Sequence, residues 1–300
     1  MTTRMESASR PEATGPGIAL MLLGVLLFTV NDALGKWLVA DYAVGQLLLL
    51  RSIVALAVLA PMIWRSGLRR TLRVEQPALH VLRVALIVLE VAAFYWAVRH
   101  LPLADVVTFY MATPLFVTAL SVPLLGEYVG PRRWAAVIVG FGGVIMILQP
   151  SGEALSLPAL IALAGSILFA LIMIVTRRLR ATGDLTLISW QTTGVLLAGA
   201  ATVPFAWVPP TPTDLVLLGS LGFVATAGHM CVNRSLRLAP AVVVVPFQYT
   251  GIVWAVIMGF IVFGDVPGPV MTTGACLIIA SGLYVFYREQ AIGRRGRAKD

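Results

Sequence analysis

The chain has 300 residues, of which 59% are hydrophobic and only 12% are charged, and its formal net charge is +8. Soluble domains have about a quarter of their residues charged, so this composition excludes an ordinary soluble fold. The basic residues lie between long apolar runs and in the C-terminal tail, a distribution that indicates membrane topology rather than a nucleic-acid partner.

Ten apolar runs of membrane-spanning length follow one another along the chain. The first run continues through Asn31, Asp32 and Lys36 and has no cleavage site of small residues, which favours a span over a signal peptide. Because sustained alternation of polar and apolar residues is absent, we expect helices rather than a barrel. The predicted spans are 17–38, 44–64, 78–98, 104–123, 131–148, 156–176, 185–206, 213–236, 240–262 and 268–287.

The distribution of basic residues predicts which side of the membrane each loop faces. With the N-terminus in the cytoplasm, the external loops hold Arg99 as their one basic residue, and the spans hold Lys36, Arg51 and Arg83. All other Lys and Arg residues then lie in cytoplasmic segments, as the positive-inside rule requires. We therefore expect an even number of spans, with both termini in the cytoplasm.

An internal repeat relates the two halves of the chain. The stretch RHLPLADVVTF at 99–109 returns as RLAPAVVVVPF at 237–247, and the register continues without a gap to residues 131 and 269. Glu127 then corresponds to Asp265. The matched pairs are Arg99/Arg237, Pro102/Pro240, Val106/Val244, Val107/Val245, Phe109/Phe247, Gly126/Gly264, Gly130/Gly268 and Pro131/Pro269.

The repeat predicts an all-α integral membrane protein built from two five-helix units, residues 17–148 and 156–287, between tails at 1–16 and 288–300. Because five is odd, the second unit enters the membrane in the opposite sense. Inverted repeats of this kind are a transporter architecture, in which exchange of conformation between the halves exposes one site to each face in turn. Transport by alternating access is therefore the leading hypothesis.

Several motifs resemble the drug/metabolite transporter superfamily, in particular its EamA-type members. These motifs are Lys36 closing the first helix, LLLLRS with Arg51, HLPLAD, MATPLF, and GEYVGPRRWAAVIVGFGGVIMI, which returns as GDVPGPVMTTGACLIIASGLYVF. The chain looks most similar to bacterial amino-acid exporters of the YddG type. The second half departs from the pattern, with Asp265 in place of Glu and Gln191 near the position where Arg51 would recur. The resemblance implies ten helices in two repeats, a location in a bacterial inner membrane, and the export of amino acids, aromatic and other neutral ones among them.

Charged residues within spans are costly in hydrocarbon, so they are candidates for function. Glu90, in the middle of the third span, could couple transport to protons or act as a structural partner of a basic residue. Asp32 and Lys36 share a helix face and are expected to neutralise each other, with a possible role in gating. We expect Arg51 to pair with Asp32 or Glu90, the alternative being a substrate carboxylate. Arg83 is expected to extend its side chain to the interface.

Aromatic and amide side chains within the spans are the candidates for substrate contact. Tyr110 and Gln248 are equivalent under the repeat, which predicts that they face each other across a central cavity. Pro114 and Pro246 interrupt two helices and either line the cavity or form packing kinks. We place the cavity between the third, fourth, eighth and ninth helices, with contributions from the first and sixth. The predicted substrate contacts are Tyr95, Tyr110, His229, Asn233, Gln248, Tyr249 and Glu90.

No catalytic motif, metal-ligand spacing or cofactor motif is evident in the sequence, so we expect no enzyme activity, metal or cofactor. The expected partners are a small-molecule substrate and membrane lipid. The oligomeric state is open, with a monomer as one option. The alternatives to an amino-acid or metabolite exporter are an exporter of drugs and cations, a nucleotide-sugar carrier, and, as the weakest, a channel or scaffold.

Overall fold

A computed structural model describes residues 14–126, 129–148, 156–179, 181–239 and 241–297 of the chain. These residues form an all-helical protein without a strand. The helices are grouped into ten segments, here α1 to α10, that follow one another along the chain. The first five are α1 Thr14–Leu38, α2 Val44–Ser66, α3 Pro77–His100, α4 Leu103–Leu125 and α5 Pro131–Leu148. The second five are α6 Leu157–Arg178, α7 Asp184–Thr202, α8 Pro212–Leu238, α9 at residues 241–263 and α10 Pro269–Arg297.

Nine of these segments, within the described part of the chain, are long and apolar enough to cross a membrane. The remaining one, α7, has 19 residues and carries Ser189, Gln191, Thr192 and Thr193 in its middle. It ends at Thr202, earlier than the predicted residue 206, and continues as a short 3₁₀ turn. Pro204 explains this early end, because proline has no N–H to continue the helical hydrogen bonds.

Both α4 and α9 are interrupted near their middle. In α4, the helices Leu103–Met111 and Thr113–Leu125 meet at Ala112, with Pro114 as the second residue of the second helix. In α9, Pro246 lies in the 3₁₀ segment Val245–Tyr249, which leads into the helix Thr250–Met258 and then a π-helical turn. Each interruption coincides with a proline. Proline has no N–H for a helical hydrogen bond, and its ring clashes with a carbonyl of the preceding turn.

The helices pack in pairs that join the first five segments to the second five. The closest pairs are α1 with α8, α3 with α6, α2 with α7, and α5 with α10. Between α5 and α10, a Cβ added to Gly143 would lie 2.8 Å from the carbonyl oxygen of Gly274. Small residues at such crossings let helix backbones approach closely, which is how helices gain packing energy in a membrane.

The loops of the internal repeat lie at opposite ends of α1. The guanidinium of Arg99, in the last turn of α3, donates to the carbonyl of Ala40 just beyond the C-terminal end of α1. Ser235, near the end of α8, donates to the carbonyl of Gly17 near the start of α1. The tails at 1–13 and 298–300, together with Glu127 and Pro240, lie outside the described residues, so the pairing of Glu127 with Asp265 across the repeat stays a prediction.

We predict that Gly143→Leu lowers the stability of the protein in detergent, because its side chain would have to displace the backbone of α10. Overpacking of this kind costs about 1–3 kcal/mol and should lower the apparent Tm by at least about 3 °C. Gly142→Leu is the matched control, since a Cβ at Gly142 meets nothing within 4 Å. Equal Tm values for the two variants would contradict the close crossing of α5 and α10.

Candidate substrate cavity

A cavity of about 670 Å³ lies between α2, α3, α7 and α8. Its walls come from residues 51–62 of α2, 83–91 of α3, 184–195 of α7 and 222–234 of α8, with Leu20 of α1 and Thr176 of α6 in addition. This volume suits a small metabolite. We predicted walls from α3 and α8, with contributions from α1 and α6, and the cavity has them. The predicted walls from α4 and α9 are replaced by α2 and α7.

The cavity walls are mainly apolar and carry a limited set of polar groups. The apolar part includes Val58, Leu59, Ile87, Val91 and Val195. The polar lining groups are Arg51, Ser52, Arg83, Thr176, Asp184, Gln191, Thr192, Thr226, His229, Asn233 and Arg234. An apolar cavity with a few polar groups is the usual form of a small-molecule site, in which the polar groups orient the ligand.

One end of the cavity is formed by residues near helix ends. Leu20 lies near the start of α1, Met62 near the end of α2, Asp184 begins α7 and Arg234 lies near the end of α8. These four helix ends lie on the predicted cytoplasmic side. The other halves of α2 and α7 contribute nothing to the lining, so the cavity reaches from about the middle of the bundle to the predicted cytoplasmic end.

The opposite end is closed by direct contact between α2 and α7. A Cβ added to Gly199 of α7 would lie 2.6 Å from the backbone nitrogen of Leu49 and 2.7 Å from the carbonyl oxygen of Gly45. Next to this crossing, the buried amide of Gln46 donates to the carbonyl of Val208 at 2.7 Å and accepts from its N–H at 3.0 Å. The two backbones therefore touch, which leaves no space for a solute.

Two further contacts join the halves of the chain at this closed end. Tyr42, in the turn after α1, donates a 2.7 Å hydrogen bond to the carboxylate of Asp214 at the start of α8. This hydrogen bond is the largest cause of the raised pKa of Tyr42, because ionisation would place a phenolate against the carboxylate. Lys36 forms an ion pair of 2.9 Å with Asp265, between α9 and α10.

The partner of Lys36 corrects the sequence prediction. Its ammonium donates to Asp265 and, at 3.0 Å, to the carbonyl of Leu101, and it lies 4.5 Å from the ring centroid of Phe263. Asp32 instead accepts from its neighbour Asn31 at 3.3 Å. The long lysine side chain extends past the end of α1 to the loops after α3 and α9, so helical spacing alone did not identify its partner.

Arg51 also differs from its prediction. Its guanidinium donates to the hydroxyl of Tyr95 at 3.0 Å, and no carboxylate of a described residue lies within ion-pair distance of it. Asp32 and Glu90 are near enough to interact with Arg51 electrostatically. Tyr95, which is 1% exposed, therefore holds Arg51 at the closed end of the cavity, between the two carboxyl groups and the open volume.

Arg83 does not extend to the interface as expected. It is buried and donates to the hydroxyl of Thr176 at 2.7 Å, the carbonyl of Leu187 at 3.3 Å and the amide oxygen of Gln191 at 3.2 Å. These bonds join α3 to α6 and α7 in the interior, where each hydrogen bond removes part of the desolvation cost of the charge. Arg83 is therefore a structural connection in the cavity wall.

The predicted substrate residues fall into two groups. His229 and Asn233 line the cavity, four residues apart on α8, and the ring of His229 contacts Phe28 edge-on at 4.8 Å. Five others are absent from the lining in this conformation. They are Glu90, Tyr95, Tyr110, Gln248 and Tyr249.

The positions of those five residues have separate explanations. Tyr110 packs against Gly165 of α6 and approaches the carbonyl of Glu90 at 3.5 Å, and Tyr249 packs against Gly282 of α10. Tyr95 lies behind Arg51, and Gln248 is exposed in the 3₁₀ segment of α9. The structure does not bring Tyr110 and Gln248 together across this cavity.

Polar residues of α2, α7 and α8 that were not among the predicted contacts also face the cavity. Ser52, Thr192 and Thr226 line it together with Gln191, the residue near the position where Arg51 would recur. That correspondence between Arg51 and Gln191 was the one signal in the sequence for this pair of helices. The hydroxyl groups are common in membrane helices, so their type alone did not distinguish them. Among the described residues no three His, Cys, Asp or Glu side chains are placed to hold a metal ion.

Comparison with protein families decides the class of this molecule. The model of the EamA-like transporter family matches two stretches of the chain, residues 15–149 and 156–287. The chain belongs to the EamA-like transporter family. A solved crystal structure has the same fold, with a TM-score of 0.61 and 19% sequence identity, covering 96% of this chain and 99% of the other.

Several transporters with named solutes are similar to this chain over most of their length. An S-adenosylmethionine uptake transporter of Rickettsia bellii is 25% identical, covering 91% of this chain and 94% of the relative. A riboflavin transporter of Vibrio cholerae is 26% identical over 94% and 96% of the two chains. The pseudopaline exporter CntI of Pseudomonas aeruginosa is 26% identical over 88% and 94%. These names support a multi-pass membrane transporter of small molecules and do not support a specific kinship with aromatic amino-acid exporters.

We predict that Gly199→Ala separates α2 from α7 at the closed end and disfavours the conformation described here. The reporter is Cys231, which lines the cavity, in a Cys276→Ser background. Labelling of Cys231 by an impermeant maleimide from the predicted cytoplasmic side should fall by roughly fivefold, the effect of about 1 kcal/mol of overpacking. Gly142→Ala is the control. Unchanged labelling in folded Gly199→Ala protein would show that this contact does not close the cavity.

Proposed function

We propose that this EamA-like transporter carries amino acids or metabolites with an amino-acid group through the cavity between α2, α3, α7 and α8. The observation that carries the proposal is the polar lining. It consists of amide, hydroxyl, imidazole and guanidinium groups, and among the described residues Asp184, at the open end, is its one acidic member. Such a lining offers donors for a carboxylate and acceptors for an ammonium group.

Alternating access between two inverted five-helix halves is the mechanism we propose. Three observations support it: helix pairs that join the halves, two separate matches to the family model, and repeat loops at opposite ends of α1. In this account the contact of Gly199 with Gly45 closes one end while the other is open. Exchange of conformation between the halves would then open the end at Lys36 and Asp265 and close the end at Arg234.

The relatives support this substrate class in part. S-adenosylmethionine contains an amino-acid group, whereas riboflavin contains none, and the relatives named above include an uptake protein and an exporter. We propose export for this chain, because its cavity faces the predicted cytoplasmic end, where an exporter would collect its substrate. In the aromatic amino acids the side chain would contact the apolar wall formed by Leu59, Ile87 and Val195.

The alternatives match the cavity less well. An exporter of cations would need a carboxylate deep in the lining to neutralise its substrate, and Glu90 does not line the cavity in this conformation. A nucleotide-sugar carrier would need several free cations for a diphosphate, whereas the donors of Arg83 are occupied by Thr176, Leu187 and Gln191. A channel would have to be continuous, whereas α2 and α7 close this volume at Gly199.

The residues outside the present lining remain proposals for the opposite conformation. Tyr110 and Gln248 are repeat equivalents on the two interrupted helices α4 and α9, and Tyr249 follows Gln248. If the halves exchange conformation, the two parts of α4 and of α9 can move relative to each other at these interruptions. We propose that Tyr95, Tyr110, Gln248 and Tyr249 approach the substrate in that state. Asp32, Lys36 and Arg51 are proposed to help close the Lys36 end in the present conformation.

Solute counterflow in proteoliposomes tests the substrate class. We expect exchange with L-phenylalanine, L-methionine or S-adenosylmethionine, because the lining matches an amino-acid group. Tetraphenylphosphonium and uridine diphosphate glucose should give no exchange beyond that of protein-free liposomes. Exchange of the phosphonium cation without any amino acid would replace this proposal by cation export.

Glu90 is the residue we propose for proton coupling, since it is a carboxyl group within a membrane span and close to Asp32 and Arg51. Counterflow of the wild-type protein should differ between acidic and alkaline pH, and Glu90→Gln should remove the difference because the amide cannot exchange a proton. Glu75→Gln, at an exposed position between α2 and α3, is the control. A normal pH response in folded Glu90→Gln protein would exclude Glu90 from this role.

A further inference from the structure

Arg51 has the features of a ligand-binding group at the closed end of the cavity. It is the lining residue of α2 nearest to the crossing with α7, and its side chain is half-buried. One guanidinium nitrogen donates to Tyr95, whose ring centroid lies 5.9 Å from the guanidinium carbon. An arginine carries five N–H donors in a planar fork, so most of its hydrogen-bonding capacity has no partner among the described residues.

The other arginine within the bundle provides a comparison. Arg83 uses all three guanidinium nitrogens on protein acceptors in α6 and α7. Both side chains line the same cavity, but one is tied to the wall and the other is held from behind by a single tyrosine. The donors of Arg51 that remain are therefore available to a solute.

The charge of Arg51 also lacks a direct counter-ion. Asp32 and Glu90 interact with it electrostatically but lie beyond ion-pair distance, and neither lines the cavity. A charged group is expensive within a membrane unless it is paired or hydrated. Ile87, Val91 and Val195 line the same cavity, and apolar walls strengthen a hydrogen bond to a charged ligand.

The polar groups beyond Arg51 define the rest of the site. His229 and Asn233 are four residues apart on α8, so they share one face of that helix. Asn233 lies nearer the open end of the cavity than His229. His229 is also within electrostatic range of Arg51. A ligand held at Arg51 by one end could thus meet an imidazole and an amide along its length.

We propose that Arg51 binds the carboxylate of the transported solute through a bidentate pair of hydrogen bonds, with the remainder of the solute directed toward His229 and Asn233. This inference rests on the proposed function and adds the group that selects the substrate. A carboxylate matches the planar fork of one guanidinium. A diphosphate would need further cations, whereas each guanidinium nitrogen of Arg83 already donates to a protein acceptor.

The test compares a carboxylate solute with its amide in counterflow, using L-phenylalanine, L-phenylalaninamide and riboflavin. Loss of a hydrogen-bonded charge pair should change recognition by at least about tenfold. Wild-type protein should prefer phenylalanine to its amide by that factor, and Arg51→Gln should reduce the preference to near equality. Arg51→Lys should retain part of it, because lysine keeps the charge without the planar fork.

Arg65→Gln is the matched control, since it removes an exposed arginine of α2 that does not line the cavity. It should leave the ratio of phenylalanine to phenylalaninamide as in wild type. The inference is overturned if folded Arg51→Gln or Arg51→Lys protein discriminates as well as wild type. If wild type exchanges riboflavin but no carboxylate solute, the inference falls together with the proposed substrate class, whereas a failure in the Arg51 variants alone leaves that class standing. Absence of exchange with all three solutes and with the wider panel would instead refute the proposed function.

Discussion

The backbone contact between α2 and α7 determines where the cavity can be. Gly199 meets Gly45 and Leu49 at a distance that leaves no space for even one methyl group, so the two helices cross there without side chains between them. On the other side of this crossing the same helices diverge, and residues 51–62 and 184–195 line an open volume. A single tight crossing thus produces both the closed end and the cavity, because rigid helices that touch at one point must separate beyond it.

Because the membrane interior is of low polarity, a basic side chain within a span needs an acidic or polar partner. Lys36 is paired with Asp265 at the closed end, and Arg83 is satisfied by three acceptors in the wall. Both arrangements reduce the cost of holding charge among helices and fix helices of one half against segments of the other. Arg51 differs, because its main protein contact is the phenol of Tyr95 and its remaining donors reach the cavity. The number of protein acceptors thus distinguishes Lys36 and Arg83 from Arg51, the cation that we propose binds the solute.

Much of the fold was predictable from the sequence, since span length and hydropathy are dictated by the bilayer. The predicted spans correspond to α1–α10, and the prolines at 114 and 246 coincide with the interruptions of α4 and α9. The partners of charged residues were not predictable in the same way. Asp32 and Lys36 share a helix face, yet Lys36 reaches Asp265, more than two hundred residues along the chain. Rotation of each helix about its axis decides which neighbour a side chain meets, and a nearly uniform apolar sequence contains little information about that rotation.

The central claim is that the two halves of this EamA-like transporter lie in the membrane in opposite senses around one cavity. It is tested most directly by the sidedness of two single cysteines, Arg99→Cys and Arg237→Cys, in protein whose own Cys231 and Cys276 are replaced by serine. An impermeant maleimide applied to intact cells should label position 99, and the same reagent applied to inside-out vesicles should label position 237. Labelling of both positions from one side would contradict the account.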